Sequence, residues 1–201
     1  MHSHAAPRRR PDLSYSRAFL LRVASCFLGA ALAASADAQA APPEPLVIKE
    51  STTLDPNRTY GPVVIAASNI TIDGQGASIV GRTDGDPKTF TGDGVFADGV
   101  SGVTLKNLMA RGWENGLHLR NASGWTVESC DFSDNFHDPA FGWGEQGRRG
   151  GIVLEKVTKS TLRGNKANRV WDACVLVDSD DNVLENNDFS HTSNTCLKLW
   201  T

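Results

Sequence analysis

A repeat of 22 residues runs through the second half of this chain of 201 residues, and it constrains the fold more than any other feature. Its clearest column is apolar, and its members are separated by 22, 35 and 22 residues: Leu105, Val127, Leu162 and Leu184. The longer step equals one unit plus an insertion of 13 residues. A second column follows the same steps and alternates small with large residues: Ala110, Phe132, Ala167 and Phe189. A period of this length is typical of solenoids and other repeat arrays.

The repeat unit has the composition of short strands joined by tight turns. Brief apolar runs alternate with Gly, Asn, Asp and Ser, and no apolar stripe of helical period is long enough for a helix. A unit this short cannot bury an apolar face alone, so successive turns are expected to stack about 4.8 Å apart as strands of a parallel sheet. A polar column two residues after the first apolar one favours left-handed bends: Asn107, Ser129, Gly164 and Asn186.

Three phrases of the sequence resemble the repeats of NosD-like proteins, namely residues 70–74, 116–119 and 184–190. Over roughly residues 62–201, the chain therefore resembles the right-handed parallel β-helix proteins of the pectate lyase-like superfamily. The resemblance implies an all-β fold, a right-handed parallel β-helix. The final residues, 197–201, lie within a strand pattern that no polar cap follows. An open end exposes unpaired backbone groups, so we expect an N-terminal portion, truncated at the C-terminus, of a longer β-helix.

The first 40 residues have the pattern of a secretory signal peptide. Five arginines precede the apolar run 23–32, and the small-x-small sequence 38–40 follows it. The alternative, an uncleaved membrane anchor, fits less well because the apolar run is short for a membrane span. We therefore predict a secreted or periplasmic protein without membrane association after cleavage. Residues 41–61 are predicted to form a leader and entry cap, and residues 62–201 the β-helix repeats.

Composition argues against nucleic acid as a partner. Removal of residues 1–40 would leave 15 basic and 21 acidic side chains. No basic patch with interleaved aromatic residues is present in that part of the sequence, and such a patch is what a phosphate backbone attracts.

Two insertions interrupt the repeat before equivalent strands. The first centres on residues 82–88, and the second covers residues 135–149. Loops that gather on one face of a solenoid usually form its binding face. Asp84, Asp86 and Asp93 offer oxygen ligands for a calcium ion, although a solvated Asp-Gly loop is the favoured interpretation. No other cofactor is predicted.

Alignment of the repeats brings charged and aromatic residues to the corner where both insertions leave the coil. Aromatic rings stack on sugar faces, and arginine binds carboxylates in bidentate fashion, so this set is predicted to bind a polysaccharide or oligosaccharide. The predicted binding residues are Trp113, Glu114, Trp143, Arg148, Arg149, Arg169, Trp171 and Asn194.

The resemblance implies candidate reactions, because β-helix relatives include polysaccharide lyases, uronan epimerases and glycoside hydrolases. A lyase or C5-epimerase needs a base and a cation beside a uronate carboxylate, whereas a hydrolase needs two carboxylates. The bases proposed from the sequence are His137 and His191, and the carboxylates are Asp138, Glu145 and Asp172. The alternative is a non-catalytic carbohydrate-binding or NosD-like accessory module.

Structural roles compete with these interpretations. Arg148 and Arg149 are equally consistent with a surface ion-pair network, and Trp171 with a packing role. His118 lies between two inward leucines, so an exposed surface position is expected for it. Cys174 and Cys196 align on adjacent turns, which permits a disulfide. A shift of one residue, placing Leu197 and Leu199 inward, is preferred because it avoids burying Lys198.

Overall fold

The computed structural model describes residues 44–138, 147 and 149–201. The predicted signal peptide, and the candidate site residues Trp143, Glu145 and Arg148, lie outside these residues. The described strands are β1 (Leu46–Ile48), β2 (Thr52–Thr53), β3 (Thr59–Tyr60), β4 (Val63–Ile65), β5 (Thr71–Val80), β6 (Asp93–Asp98), β7 (Thr104–Arg111), β8 (Asn115–Ser123), β9 (Thr126–Glu128), β10 (Gly150–Thr158), β11 (Thr161–Arg163), β12 (Asp172–Val177), β13 (Val183–Glu185) and β14 (Thr195–Trp200).

The strands form two parallel sheets that wind around a shared interior. Sheet A has the order β1-β4-β6-β8-β10-β12-β14, and sheet B has the order β13-β11-β9-β7-β5-β2, with β3 also paired to β5. A third side is marked by single parallel bridges that connect Met109, Asp131, Lys166 and Asp188. The molecule is therefore a right-handed parallel β-helix, as the repeat predicts.

The core consists of the columns that the period identifies. In sheet B, Leu105 lies opposite Val127, and Leu162 opposite both Val127 and Leu184. Leu105, Val127 and Leu162 are completely buried, and Leu184 packs against them. Phe132 and the alanines of the second column are also buried. The predicted inward stack is confirmed, and its hydrophobic burial holds successive turns together.

The corners of the coil use left-handed backbone at repeated positions. The predicted polar column has φ values of 55°, 55°, 62° and 54° at Asn107, Ser129, Gly164 and Asn186, respectively. A further corner contains Gly112, Asp134, Arg169 and His191, with φ between 51° and 80°. Residue types that tolerate this conformation therefore define where each turn bends.

The last turn shows the one-residue shift that the sequence favours. Cys174 pairs with Leu197 and Leu176 with Leu199, so Lys198 lies in the outward column beside Val175. The thiols of Cys130, Cys174 and Cys196 are free.

Among the described residues the strands begin at Leu46, so the segment predicted as leader and entry cap contributes to both sheets. β1 pairs with β4 in sheet A, and β2 pairs with β5 in sheet B. Within the residues that the structure describes, no helix has the length and apolar character needed to cross a membrane.

Candidate functional site

A cleft of about 510 Å³ lies at the corner between sheet B and the two insertions. We call it the corner cleft. The first insertion contributes Arg82, Thr83, Gly85, Pro87 and Phe90 to its lining, and the second contributes His137. The coil itself contributes Thr59, Val80, Arg111, Gly112 and Asp134. Both insertions therefore border one cavity, which is the arrangement expected of a binding face on a solenoid.

Gly112 keeps the centre of this corner free of side chains. Its amide donates to the carbonyl of Asp134, and its carbonyl accepts from the amide of Arg82, so the three residues lie on successive turns. A Cβ atom at Gly112 would lie 2.1 Å from the Arg82 carbonyl oxygen, and φ is 80°. Glycine is required there, and its missing side chain leaves the space between Arg82 and Asp134.

The cleft combines two exposed arginines with one fixed carboxylate. Arg82 and Arg111 are exposed, and Arg82 lies 3.5 Å from the carboxylate of Asp84. Nε and Nη2 of Arg169 both donate hydrogen bonds to the carboxylate of Asp134, and the Nη2–Oδ2 distance is 2.7 Å. The hydrogen bond from Arg169 lowers the pKa of Asp134 against the opposing effect of burial, and the charge of Arg111 lowers it further. Asp134 is therefore an ionised, oriented group at the cleft wall.

His137 lines the cleft, and one of its ring nitrogens has a defined partner. Its Nδ1 lies 2.9 Å from the carbonyl oxygen of Asn135, which can only accept, so Nδ1 carries a proton and donates. In the neutral imidazole Nε2 then holds the lone pair, and no described residue is hydrogen-bonded to it. Asn135 is itself fully buried and anchored by the amide of Trp113 and the carbonyls of Ala110 and Phe132. The position of His137 is thus set by a rigid neighbour.

Asp138 links the two insertions. Its Oδ1 lies 3.7 Å from the Nζ atom of Lys88, which belongs to the first insertion. Asp138 is therefore placed between the two insertions, where it forms an ion pair. Its predicted catalytic role stays a prediction.

Two of the three predicted aromatic platforms, Trp113 and Trp171, lie in the interior. Trp113 is 8% exposed and Trp171 is 1% exposed. The indole of Trp113 donates to the Ile79 carbonyl at 3.3 Å. The prediction that these two rings stack on sugar is corrected, because their faces are covered by packing, and the packing alternative for Trp171 matches its burial.

Asp172 is also buried, with no exposed surface. Its Oδ1 accepts from the Asn194 side chain at 2.8 Å and from the Thr195 amide and hydroxyl. Lys198 Nζ lies 3.6 Å from Oδ2. This carboxylate is the hydrogen-bond acceptor for the first residue of β14. Its burial argues against the roles predicted for Asp172 in catalysis and for Asn194 in binding.

Three further predicted residues are partly or fully exposed, namely Glu114, Arg149 and His191. Glu114 pairs with Arg149 at 3.2 Å, and the Arg149 guanidinium covers the Phe136 ring at 4.9 Å from its centroid. This arrangement resembles the ion-pair network weighed as an alternative. His191 is exposed, and its carbonyl accepts from the Arg169 amide. The structure places His191 one turn beyond Arg169, outside the cleft lining.

The three aspartates considered for calcium have separate partners. Asp84 pairs with Arg82, Asp86 caps a short 3-10 turn, and Asp93 binds Asn115 and His118. Among the residues that the structure describes, no group of three or more His, Cys, Asp and Glu side chains is placed to hold a metal ion.

Sequence reasoning missed Arg82, Arg111 and Asp134 as cleft residues. By spacing, Gly112 aligns with either Asp134 or Gly147, and the hydrogen bond from the Gly112 amide to the Asp134 carbonyl places Asp134 on the neighbouring turn. The signal was present, since Asp134 lies one 22-residue unit after Gly112 and 35 residues before Arg169. With the insertion at residues 135–149, this spacing aligns Asp134 with Arg169 on the next turn.

The fold and the cleft together define a parallel β-helix protein with a charged cavity at one corner. The family described as right handed beta helix region matches residues 93–200, more than half of the chain. The chain belongs to that family. Searches of curated proteins and of solved structures give no match.

Proposed function

We propose that the corner cleft binds an acidic polysaccharide and abstracts the proton next to a uronate carboxylate, as a lyase or C5-epimerase does. The observation that carries this proposal is that His137, whose Nδ1 lies against the Asn135 carbonyl, lines the same cleft as Arg82 and Arg111. Abstraction of a proton beside a carboxylate needs this combination of base and cation.

The reaction assigns a role to each group. One arginine neutralises the uronate carboxylate, which lowers the energy of the carbanion-like transition state. His137 Nε2 takes the C5 proton. In a lyase the released electron pair forms the C4–C5 double bond, the C4–oxygen bond breaks, and the leaving oxygen takes a proton from the imidazolium or water. In an epimerase C5 is protonated again from the opposite face.

Hydrolysis is less well supported by the residues that line the cleft. A glycoside hydrolase uses two carboxyl groups on opposite sides of the scissile bond. Asp134 is the carboxylate among the described lining residues, and Arg169 already occupies both of its oxygens. A binding module is the second candidate, supported by the two exposed arginines alone.

A panel of polyuronates, with a neutral glucan as control, tests the proposal. Lyase activity is followed by the ultraviolet absorbance of the unsaturated product, and epimerase activity by deuterium uptake at C5 from heavy water. His137→Gln is expected to lower kcat/KM about 10²- to 10⁴-fold, the usual contribution of a general base. Uronate binding without turnover would leave the binding module as the function.

A substitution of Arg111 tests the role of the arginines in binding the uronate carboxylate. Arg111→Gln is expected to weaken polyuronate binding about tenfold, since a charged hydrogen bond contributes roughly 1.5 kcal/mol. Arg163 pairs with Glu128 on sheet B and is absent from the cleft lining, so Arg163→Gln is the control and should leave the Kd unchanged. Equal effects of the two variants would contradict the proposed carboxylate contact.

A further inference from the structure

A second charged cluster surrounds His118 on the outer face of sheet A. His118 lies on β8, and its Nδ1 is 3.1 Å from Oδ2 of Asp93 on β6. Its Nε2 is 3.7 Å from Oε2 of Glu155 on β10. The imidazole therefore lies between carboxylates from the two strands that flank its own, and only 17% of its side chain is exposed.

Asp93 fixes the orientation of this imidazole. The other oxygen of Asp93 accepts from the Asn115 side chain at 2.7 Å, so the carboxylate is held from both sides. Because a carboxylate accepts, Nδ1 of His118 carries the donated proton. Nε2 is buried without a hydrogen-bond partner among the described residues, and it faces the Glu155 carboxylate.

Protonation of Nε2 gives both ring nitrogens of His118 an N–H group that faces a carboxylate. In the neutral ring, a lone pair faces a carboxylate, whereas in the imidazolium both nitrogens carry N–H groups directed to negative charges. Burial lowers the pKa of His118, but the hydrogen bond and charge of Asp93 and the charge of Glu155 outweigh it, so the pKa is raised above 6.5. Arg120 opposes protonation and pairs with Asp98 and Glu155.

The cluster is connected to both insertions of the corner cleft. Asp93 is the first residue of β6 and follows the first insertion, three residues after the cleft residue Phe90. Gly150 is the first residue of β10 and follows the second insertion. Its amide donates to the Oδ1 atom of Asn115, the residue that also holds Asp93.

We propose that His118 is a proton-controlled positioning residue for the corner cleft. When protonated, it ties β6 to β10 through Asp93 and Glu155 and fixes the strand ends at which both insertions finish. This regulation rests on the proposed function, because it predicts tighter binding of acidic glycan by the protonated form.

The sign of the pH effect follows from the raised pKa. Protonation of His118 favours the folded state, so its stabilisation is complete below pH 6.5, the value of the unfolded chain. It is lost as the pH rises through the higher pKa of the folded protein. Glycan affinity is expected to fall over the same interval, by about fivefold, the lower range of coupling between sites.

The experiment measures thermal unfolding, the NMR titration of the imidazoles, and calorimetric binding of an oligogalacturonate as the pH is raised through 6.5 from more acidic values. His118→Asn and Glu155→Gln are each expected to reduce the pH dependence of Tm and of Kd. Glu128→Gln removes a carboxylate that pairs with Arg163 on the other sheet, so it is the matched control and should retain both dependences.

The outcomes separate the two proposals. A His118 pKa at or below 6.5, or a Kd whose pH dependence is unchanged in both variants, overturns the inference. If the wild type binds no polyuronate at any pH, the proposed function fails and the regulation fails with it. A pH-dependent Tm that disappears in His118→Asn would then still support the tie between β6 and β10.

Discussion

Three glycines occupy equivalent positions on consecutive turns, namely Gly94, Gly116 and Gly151. At these positions sheet A passes close to the column of alternating small and large residues. Cβ atoms added there would lie 2.9 Å from Cβ of Ala110, 2.8 Å from Cβ of Phe132 and 2.5 Å from Cβ of Ala167, respectively. These contacts are shorter than packed atoms tolerate. Glycine at this position therefore lets the two sides of the coil approach each other.

Gly116→Ala is expected to lower the free energy of unfolding by about 1–3 kcal/mol, the usual cost of overpacking. Chemical denaturation monitored by circular dichroism measures the loss. Gly99→Ala is the control: its Cβ would meet no atom within 4 Å, but φ is 70°, so it is expected to cost about 1 kcal/mol in backbone strain alone. A smaller loss in Gly116→Ala than in the control would contradict the close approach.

Asp172→Ala is expected to destabilise the protein by about 3 kcal/mol, because it leaves Lys198 and the donors of Asn194 and Thr195 without their buried acceptor. The measurement is again the free energy of unfolding, with the exposed Asp98 changed to Ala for comparison. A variant of Asp172 with unchanged stability but lost turnover would restore the catalytic role predicted from sequence.

Inward residues such as Leu105 were predictable from the sequence because one period places them in the same column of every turn. The burial of Trp171 was not, since it depends on how an insertion packs against the coil rather than on the repeat. The same holds for His118. The alternation of inward and outward residues along β8 places His118 on the outer face, but only the register of the neighbouring strands brings it to Asp93 and Glu155.

Ion pairs between turns connect corner residues that are 35 positions apart. Asp134 with Arg169 and Glu128 with Arg163 both join one turn to the next across the second insertion. The arginine side chain of each pair is about half exposed, so solvent screens the interaction. These pairs contribute more to the orientation of the corner than to its stability.

Arg169→Met is expected to reduce stability by about 0.5 kcal/mol near neutral pH, as for other exposed pairs. Because Arg169 lowers the pKa of Asp134, this contribution is present above pH 3.8 and is lost as the pH falls through the lower pKa of the folded state. A double-mutant cycle with Asp134→Asn, measured at several pH values, isolates the pair. A coupling energy that does not decrease in acid would contradict the assignment.

At the level of elements, the excess residues between repeats predicted both insertions and the corner from which they leave. The exact turn was harder to assign, since Gly112 aligns equally well with Asp134 or Gly147 by spacing. The backbone hydrogen bond from Gly112 shows that Asp134 lies next to it on the following turn. The carboxylate that borders the cleft is therefore that of Asp134.

The whole molecule is stabilised by contacts between neighbouring turns. Ile152 and Leu154 on β10 have turns on both sides and are completely buried. Leu197 and Leu199 on β14 pair with β12 on one side, and they are 48% and 68% exposed. Local stability in such a stack depends on the number of neighbouring turns.

In the chain of residues 1–201, hydrogen exchange is expected to be faster in residues 195–200 than in residues 150–158 under native conditions, because β14 pairs with β12 alone here whereas β10 pairs with both β8 and β12. Mass spectrometry of peptides from the two strands measures the difference. Equal protection of both segments would indicate that all turns open together as one cooperative unit.

The second insertion adds 13 residues between Asp134 and Gly150, yet Gly150 still lies opposite Asn115, as Asp93 does on the other side. The extra chain therefore leaves the strand register untouched. Chain length at this corner is free to vary while the scaffold keeps its geometry, so the shape of the cavity and the stability of the coil are subject to separate selection.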